Sequence, residues 1–295
     1  MAGESVPASR YGRAMPDPSA PTSPPPPEGP AHPRDAVSGV ALSVPARGNR
    51  KLEALLAAAN ADDRLRAWWH MQHVLANRLG MSDHSWVHVQ IVLNIALRLF
   101  RLLAKRGVEP AMVGEHLMRE HDAEVVIAAA CLLHDSGMSI HRTDHEAYSL
   151  FLAAERLPAL LEGVYSEPER TVVVAEALHA IIGHRRRGDP ITVEAGIVRV
   201  ADALDLAQGR SRVPFSNRRP NIHSLSAAAI DGVEIKAGEE RAVTIEIAMN
   251  NSAGIFQVDE LLATKLRGSG LEDHLDVVAR IDSEHEKRLV PVFRI

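Results

Sequence analysis

The chain has 295 residues, 46 % of them hydrophobic, and a formal charge of −5, which is material for one large soluble domain or two ordinary ones. The acidic balance speaks against a general nucleic-acid binder, which needs clustered positive charge. The single cysteine, Cys131, excludes an intrachain disulfide and reads as a small core residue. Apolar runs are interrupted by charged residues or histidine before the ~18 residues of a membrane span, and no basic segment leads into a hydrophobic stretch at the N-terminus, so the expected location is the cytoplasm, away from membranes.

Residues 1–47 hold eleven of the eighteen prolines, including PTSPPPPEGP, with few large apolar residues. This composition predicts a disordered tail of polyproline character. From 48 to 212 the pattern is helical. RKLEALLAAANADDRLRAWWHMQHVLANRL predicts one or two helices, and HVQIVLNIALRLFRLLAKRG another that stops at Gly107 and Pro110. On this last helix Gln90, Asn94, Arg98 and Arg101 recur every three or four residues as a solvated stripe, while His88 is in phase with Ile91, Val92, Ile95 and Leu99 and faces inward. Residues 124–135 are apolar on every side and mark a central helix. Ser166, Glu167, Pro168 and Glu169 read as a capping box opening a helix that closes near Gly183. ITVEAGIVRVADALDLAQG follows as a helix ending at Gly209. After 213 the texture changes to short β-branched runs, DGVEIKAG, AVTIEIAMN, LDVVARID and LVPVFRI, with one helix ending at Gly268. The expected architecture is mainly α: a helical bundle over 48–212, then a small α+β domain over 213–295.

Most of the fifteen histidines fall between residues 70 and 184. His88 sits on a buried face, His134 and Asp135 end a buried helix, His179 and His184 lie on or past a third, and Asp202 interrupts IVRVADALDL. Each has a plain explanation alone: an inward histidine is ordinarily hydrogen-bonded core, and Asp202 can pair with Arg199 at i,i+3. Together they need a common partner, since burial of unpaired carboxylates costs several kcal/mol. A divalent cation supplies one, favoured at the carboxyl end of the central helix by its free carbonyls. Imidazole and carboxylate ligands leave the metal open among zinc, iron, manganese, magnesium, cobalt and nickel. Such an ion lowers the pKa of its water from ~15.7 toward ~7, so hydrolysis is the expected chemistry.

The order His88, His134-Asp135, Asp202 resembles the HD superfamily of metal-dependent phosphohydrolases, whose signature is H…HD…D on a helical bundle. DHSWVHVQIVLNIALRL, LLHDSG and VRVADALDLAQGR carry the likeness, over roughly residues 60–210. The resemblance implies that His88, His134, Asp135 and Asp202 bind one metal, with Asp135 bridging to a second in two-metal members. His145 in DHEAYS and His184 in IIGHRRRGDP best match the two further histidines of those members; His179, His141 and His84 match less well. GDP at 188–190 stands where the cyclic-dinucleotide branch has GYP, which speaks against that substrate. Asp135 and His145 are the expected catalytic residues beside Arg185, the member of the Arg185–Arg187 triplet expected to point inward and clamp phosphate. The implied activity is hydrolysis of a phosphate ester on a small, nucleotide-like substrate by a metal-activated water, with one or two divalent ions. The rival reading is a metal-stabilised regulatory protein without turnover, whose C-terminal module binds an effector or partner or forms a homodimer.

Overall fold

The structure, a computed structural model, describes residues 31–206 and 226–281. A short helix α1 (Pro33–Val37) leads to α2 (Arg50–Ala61) and α3 (Asp63–Leu79), so the first long periodic run forms two helices. Asp62 divides them: its side chain accepts from the amides of Arg64 and Leu65 and starts α3. Helix α4 (Trp86–Lys105) starts at Ser85, whose hydroxyl accepts from the Val87 amide. After the single turn α5 (Ala111–Gly114) comes α6 (Glu120–Leu133), buried without interruption from Asp122 to Leu133. An element apolar all round must be surrounded, and α2, α4 and the helices over Glu169–Gly183 and Val193–Ala203 pack about it. Helices α7 (His145–Leu160), α8 (Glu169–Gly183) and α9 (Val193–Ala203) complete the bundle.

Four expectations change. The stripe on α4 is only partly solvated: Gln90 is buried and accepts from the Ser43 amide at 2.9 Å, the exposed Arg98 donates to the Ile235 carbonyl at 2.5 Å, and the half-buried Arg101 pairs with Glu124 at 2.6 Å. Residues 31–47, assigned to the tail, instead form a strap across the bundle. Val40, Leu42 and Ala46 are buried, and the Asn60 amide holds both the N–H and the carbonyl of Leu42. Helix α8 begins at Glu169, and the Glu167 carboxylate caps the Thr171 amide in place of Ser166. Helix α9 ends at Ala203, six residues before Gly209, and Asp205 lies in the turn that follows.

By length and composition α4 would suit a membrane span, but eleven of its residues are buried in the bundle. Its apolar surface is therefore accounted for by core packing.

The C-terminal module is a sheet of three described strands, β1 (Ile230–Ala237), β2 (Val243–Met249) and β3 (Leu275–Ile281), in the order β1-β2-β3. The first pair is antiparallel, with Ile235 opposite Ile245; the second is parallel, with Ile245 opposite Val277. A parallel pair needs a crossover, and a helix at 257–266 provides it, π-helical over Gln257–Ala263 and α-helical over Thr264–Leu266. Val243, Ile245, Ile247 and Met249 alternate inward. The module seats on α4 and α9. A Cβ at Gly196 of α9 would stand 2.2 Å from the Ser269 carbonyl oxygen, so this close approach requires glycine. The predicted strand LVPVFRI lies outside the described residues.

Candidate metal centre

Five elements carry the polar residues inward. His88 lies in the first turn of α4, Asp202 in the last turn of α9, and His134 and Asp135 close α6. His184 follows the end of α8, and His145 opens α7. The turn after α6 makes this possible. Ser149 donates to the freed His134 carbonyl at 2.7 Å and accepts from the Gly137 amide at 2.8 Å, tying α7 to the end of α6. A Cβ on Gly137 would stand 2.0 Å from the His145 carbonyl oxygen, so glycine is what lets His145 approach.

Two groups form around the single carboxylate of Asp135. Its Oδ2 lies 3.4 Å from His88 Nε2 and 3.5 Å from His134 Nε2, and Asp202 Oδ1 lies 3.4 Å from His88 Nε2 and 3.8 Å from His134 Nε2. Its Oδ1 lies 3.0 Å from His145 Nε2 and 3.7 Å from His184 Nε2. His88, His134 and Asp135, and separately Asp135, His145 and His184, each converge tightly enough to share one ion. All are buried.

The opposite ring nitrogens explain why the Nε2 atoms present lone pairs. His134 Nδ1 donates to the Cys131 carbonyl at 2.9 Å, His184 Nδ1 to that of Ile181 at 2.5 Å, and His88 Nδ1 to Asp205 Oδ2 at 2.6 Å. At His145, Nδ1 is 3.1 Å from both the Arg142 carbonyl and Glu146 Oε2, with the Arg142 guanidinium at 2.8 Å competing. Acceptors at Nδ1 put the proton there and leave Nε2 basic, the arrangement typical of metal-ligating histidine. His88 Nε2 and His134 Nε2 are then two lone pairs facing each other at 3.2 Å. They cannot hydrogen-bond to one another, and a cation between them is the simplest partner.

The electrostatics of His134 agree with this protonation. Burial pushes His134 down to about 4, with His184 and His88 adding to the effect and Asp135 opposing it, so its imidazole is neutral. Burial would raise Asp135, but His134, His145, His184 and His88 outweigh it and hold the carboxyl well below its usual range. Burial lowers His145, yet its hydrogen bond to Asp135 and that carboxylate's charge prevail and raise it. A neutral His134 beside an ionised Asp135 is the state in which a divalent cation binds, whereas the raised His145 gives up a proton to serve as a ligand.

The HD domain family model matches residues 82–207. An uncharacterized protein of Methanocaldococcus jannaschii is 37 % identical over 222 residues, covering 75 % of this chain and 86 % of that protein. The chain belongs to the HD domain family. Proteins with an HD domain are generally metal-dependent phosphohydrolases. Ribonuclease Y of Borreliella burgdorferi and of Borreliella afzelii are each 28 % identical over 166 residues, 54 % of this chain but only 31 % of their own length.

Within this HD domain the structure brings together His88, His134, Asp135, His145, His184 and Asp202, and leaves the other described histidines outside both groups. His84 is buried at the edge of the cluster, its Nε2 3.9 Å from Asp135 Oδ2. His141 is exposed, and His179 accepts from the Ile191 amide at 3.1 Å in a loop-fixing role. Arg185 does not point inward; Arg185, Arg186 and Arg187 are all exposed. The cause is Arg199, which donates to the carbonyls of Arg185, Arg186 and Gly188 and so folds that loop with its side chains outward. Arg199 also binds the Lys265 carbonyl and is thereby occupied, so the expected pairing with Asp202 is replaced. Asp202 is held by Lys265 Nζ from the C-terminal module.

Two residues at the site escaped the sequence reading. Asp205 had a signal, since it follows Asp202 by one helical turn within an apolar run. Lys265 had none, because nothing local relates a lysine in the second module to a carboxylate 63 positions earlier.

Proposed function

We propose that the protein is a phosphohydrolase that cleaves a phosphate ester of a small, nucleotide-like substrate using two divalent metal ions. The observation that carries this reading is Asp135, whose two carboxylate oxygens face two separate histidine groups. Asp135 Oδ2, His88, His134 and Asp202 would hold one ion, and Asp135 Oδ1, His145 and His184 the other. When bound, such ions supply a nucleophile from water at neutral pH and neutralise charge developing on phosphoryl oxygens.

The chain's own residues do the rest. Asp205 keeps the proton of His88 on Nδ1, and the Cys131 and Ile181 carbonyls do so for His134 and His184. Their orientation is thus set before substrate arrives, which avoids a reorganisation cost during reaction. Lys265, half-buried, and Arg142, exposed like Arg185, are cations already in contact with ligand residues, and that contact places them better than Arg185 to meet a substrate phosphate. The Lys265 contact also favours a second reading, in which the C-terminal module senses or controls occupancy of the centre and turnover is absent.

The test is a panel of phosphomonoesters, nucleotides and phosphodiesters assayed with manganese, magnesium, cobalt or nickel. Turnover that is abolished in Asp135→Ala supports the enzyme. Stoichiometric metal without turnover of any ester would favour the regulatory reading.

A further inference from the structure

We propose that the cleft between α4, the strap at 40–47 and β1 binds a nucleoside phosphate at a site separate from the metal centre. The cleft encloses about 540 Å³, within the ~300–1,000 Å³ typical of small-molecule sites. Its lining is cationic: Arg47, Arg98, Arg101, Lys105 and Lys236 face a single carboxylate, Glu234. Arg101 and Lys236 are paired, with Glu124 and Glu246. Arg47, Arg98 and Lys105 have no ion pair with another described residue.

Arg101 supplies a second, independent observation. Its Nε is held by Glu124, yet its Nη2 is buried without a hydrogen-bond partner. A buried, unsatisfied guanidinium N–H is costly, and a small turn of the side chain toward the cleft that Arg101 lines would give it a phosphate oxygen as acceptor. Arg98 is fixed beside it by the bond from its Nε to the Ile235 carbonyl. Arg47 adopts φ 49, a left-handed conformation that non-glycine residues rarely take and that clusters at functional sites. Between the cations Ile95, Leu102 and Val233 provide apolar surface. A bare phosphate would use the charges and leave that surface wet, whereas a nucleoside phosphate uses both.

The position gives such a ligand influence. Helix α4 carries both His88 and Arg98, ten residues apart, or about 15 Å along the axis at 1.5 Å per residue. The other wall, β1, belongs to the module that delivers Lys265 to Asp202.

The experiment uses the full chain carrying Asp135→Ala, in chelator, so that binding at the metal centre is disabled and the result does not depend on catalysis. Adenosine triphosphate, adenosine monophosphate, inorganic phosphate and a single-stranded RNA oligomer are titrated by calorimetry. The proposal expects nucleotide binding to persist in this background and inorganic phosphate to bind at least tenfold more weakly. Adding Arg47→Ala with Lys105→Ala should cut nucleotide affinity at least tenfold; both side chains are exposed, so folding should survive. Absence of nucleotide binding, equal affinity for phosphate, indifference to the double substitution, or binding of the RNA oligomer alone would each overturn it.

Discussion

Replacing Asp205 is the sharpest probe of how the centre is organised, because Asp205 is adjacent to a ligand without belonging to either ion-holding group. Its Oδ2 accepts from His88 Nδ1 at 2.6 Å, deep in the core. Asp205→Ala removes this acceptor, leaves a buried N–H unsatisfied and frees the ring to turn. Loss of such an orienting partner weakens metal binding by ~10–100-fold, or ~1.4–2.8 kcal/mol. Asp205→Asn keeps an acceptor but not the charge, and a neutral hydrogen bond is about half as strong, so the loss should be ~3–10-fold. Affinity for manganese, measured by competition with a fluorescent chelator after circular dichroism establishes that each variant is folded, should fall in the order Asp, Asn, Ala. Binding by the alanine variant within twofold of the parent would refute the claim that Asp205 sets the tautomer and orientation of His88.

Gly137→Ala should displace the start of α7, because its Cβ would stand 2.0 Å from the His145 carbonyl oxygen; a lower melting temperature together with lost manganese affinity is expected, and parent-like values for both would contradict the tight turn. Lys265→Ala removes the ammonium that neutralises Asp202, so manganese should bind severalfold more tightly at low ionic strength; weaker binding would mean that Lys265 supports the centre rather than competing for its ligand. For Asp122, burial raises the pKa, but hydrogen bonds from Lys51, Tyr165 and the Arg119 amide prevail and hold it below the ordinary 3.8. A depressed folded pKa contributes stability above the ordinary value and loses it as pH falls through the folded one. Asp122→Asn should therefore cost ~1–2 kcal/mol in denaturant unfolding at pH 7, and the difference from the parent should narrow as pH is lowered past 3.8; a difference independent of pH would refute the assignment.

The core of the fold is legible wherever one periodicity dominates. The unbroken apolar run of α6 requires surrounding helices, and the alternation of β2 gives its buried face directly. The ligand residues stand out because they are polar groups in positions that only the interior can occupy. What local pattern misreads is polarity satisfied at long range. Gln90 and Arg98 recur like a solvated stripe, yet their partners are Ser43 and Ile235, 47 and 137 positions away. The strap looks like tail because its few apolar residues, Val40, Leu42 and Ala46, show no period and find their pocket only on the finished bundle. Arg185 fails for a related reason: three successive arginines carry no information on direction, which Arg199 imposes by binding the carbonyls of Arg185 and Arg186 from another helix.

The most direct test is calorimetric titration of metal-stripped protein with manganese. Two ions per chain are predicted, both lost in Asp135→Ala, whose carboxylate serves both groups, while His145→Ala keeps the ion held by His88, His134 and Asp202. Absence of binding, or an Asp135→Ala variant that still takes up two ions, would contradict the paired centre.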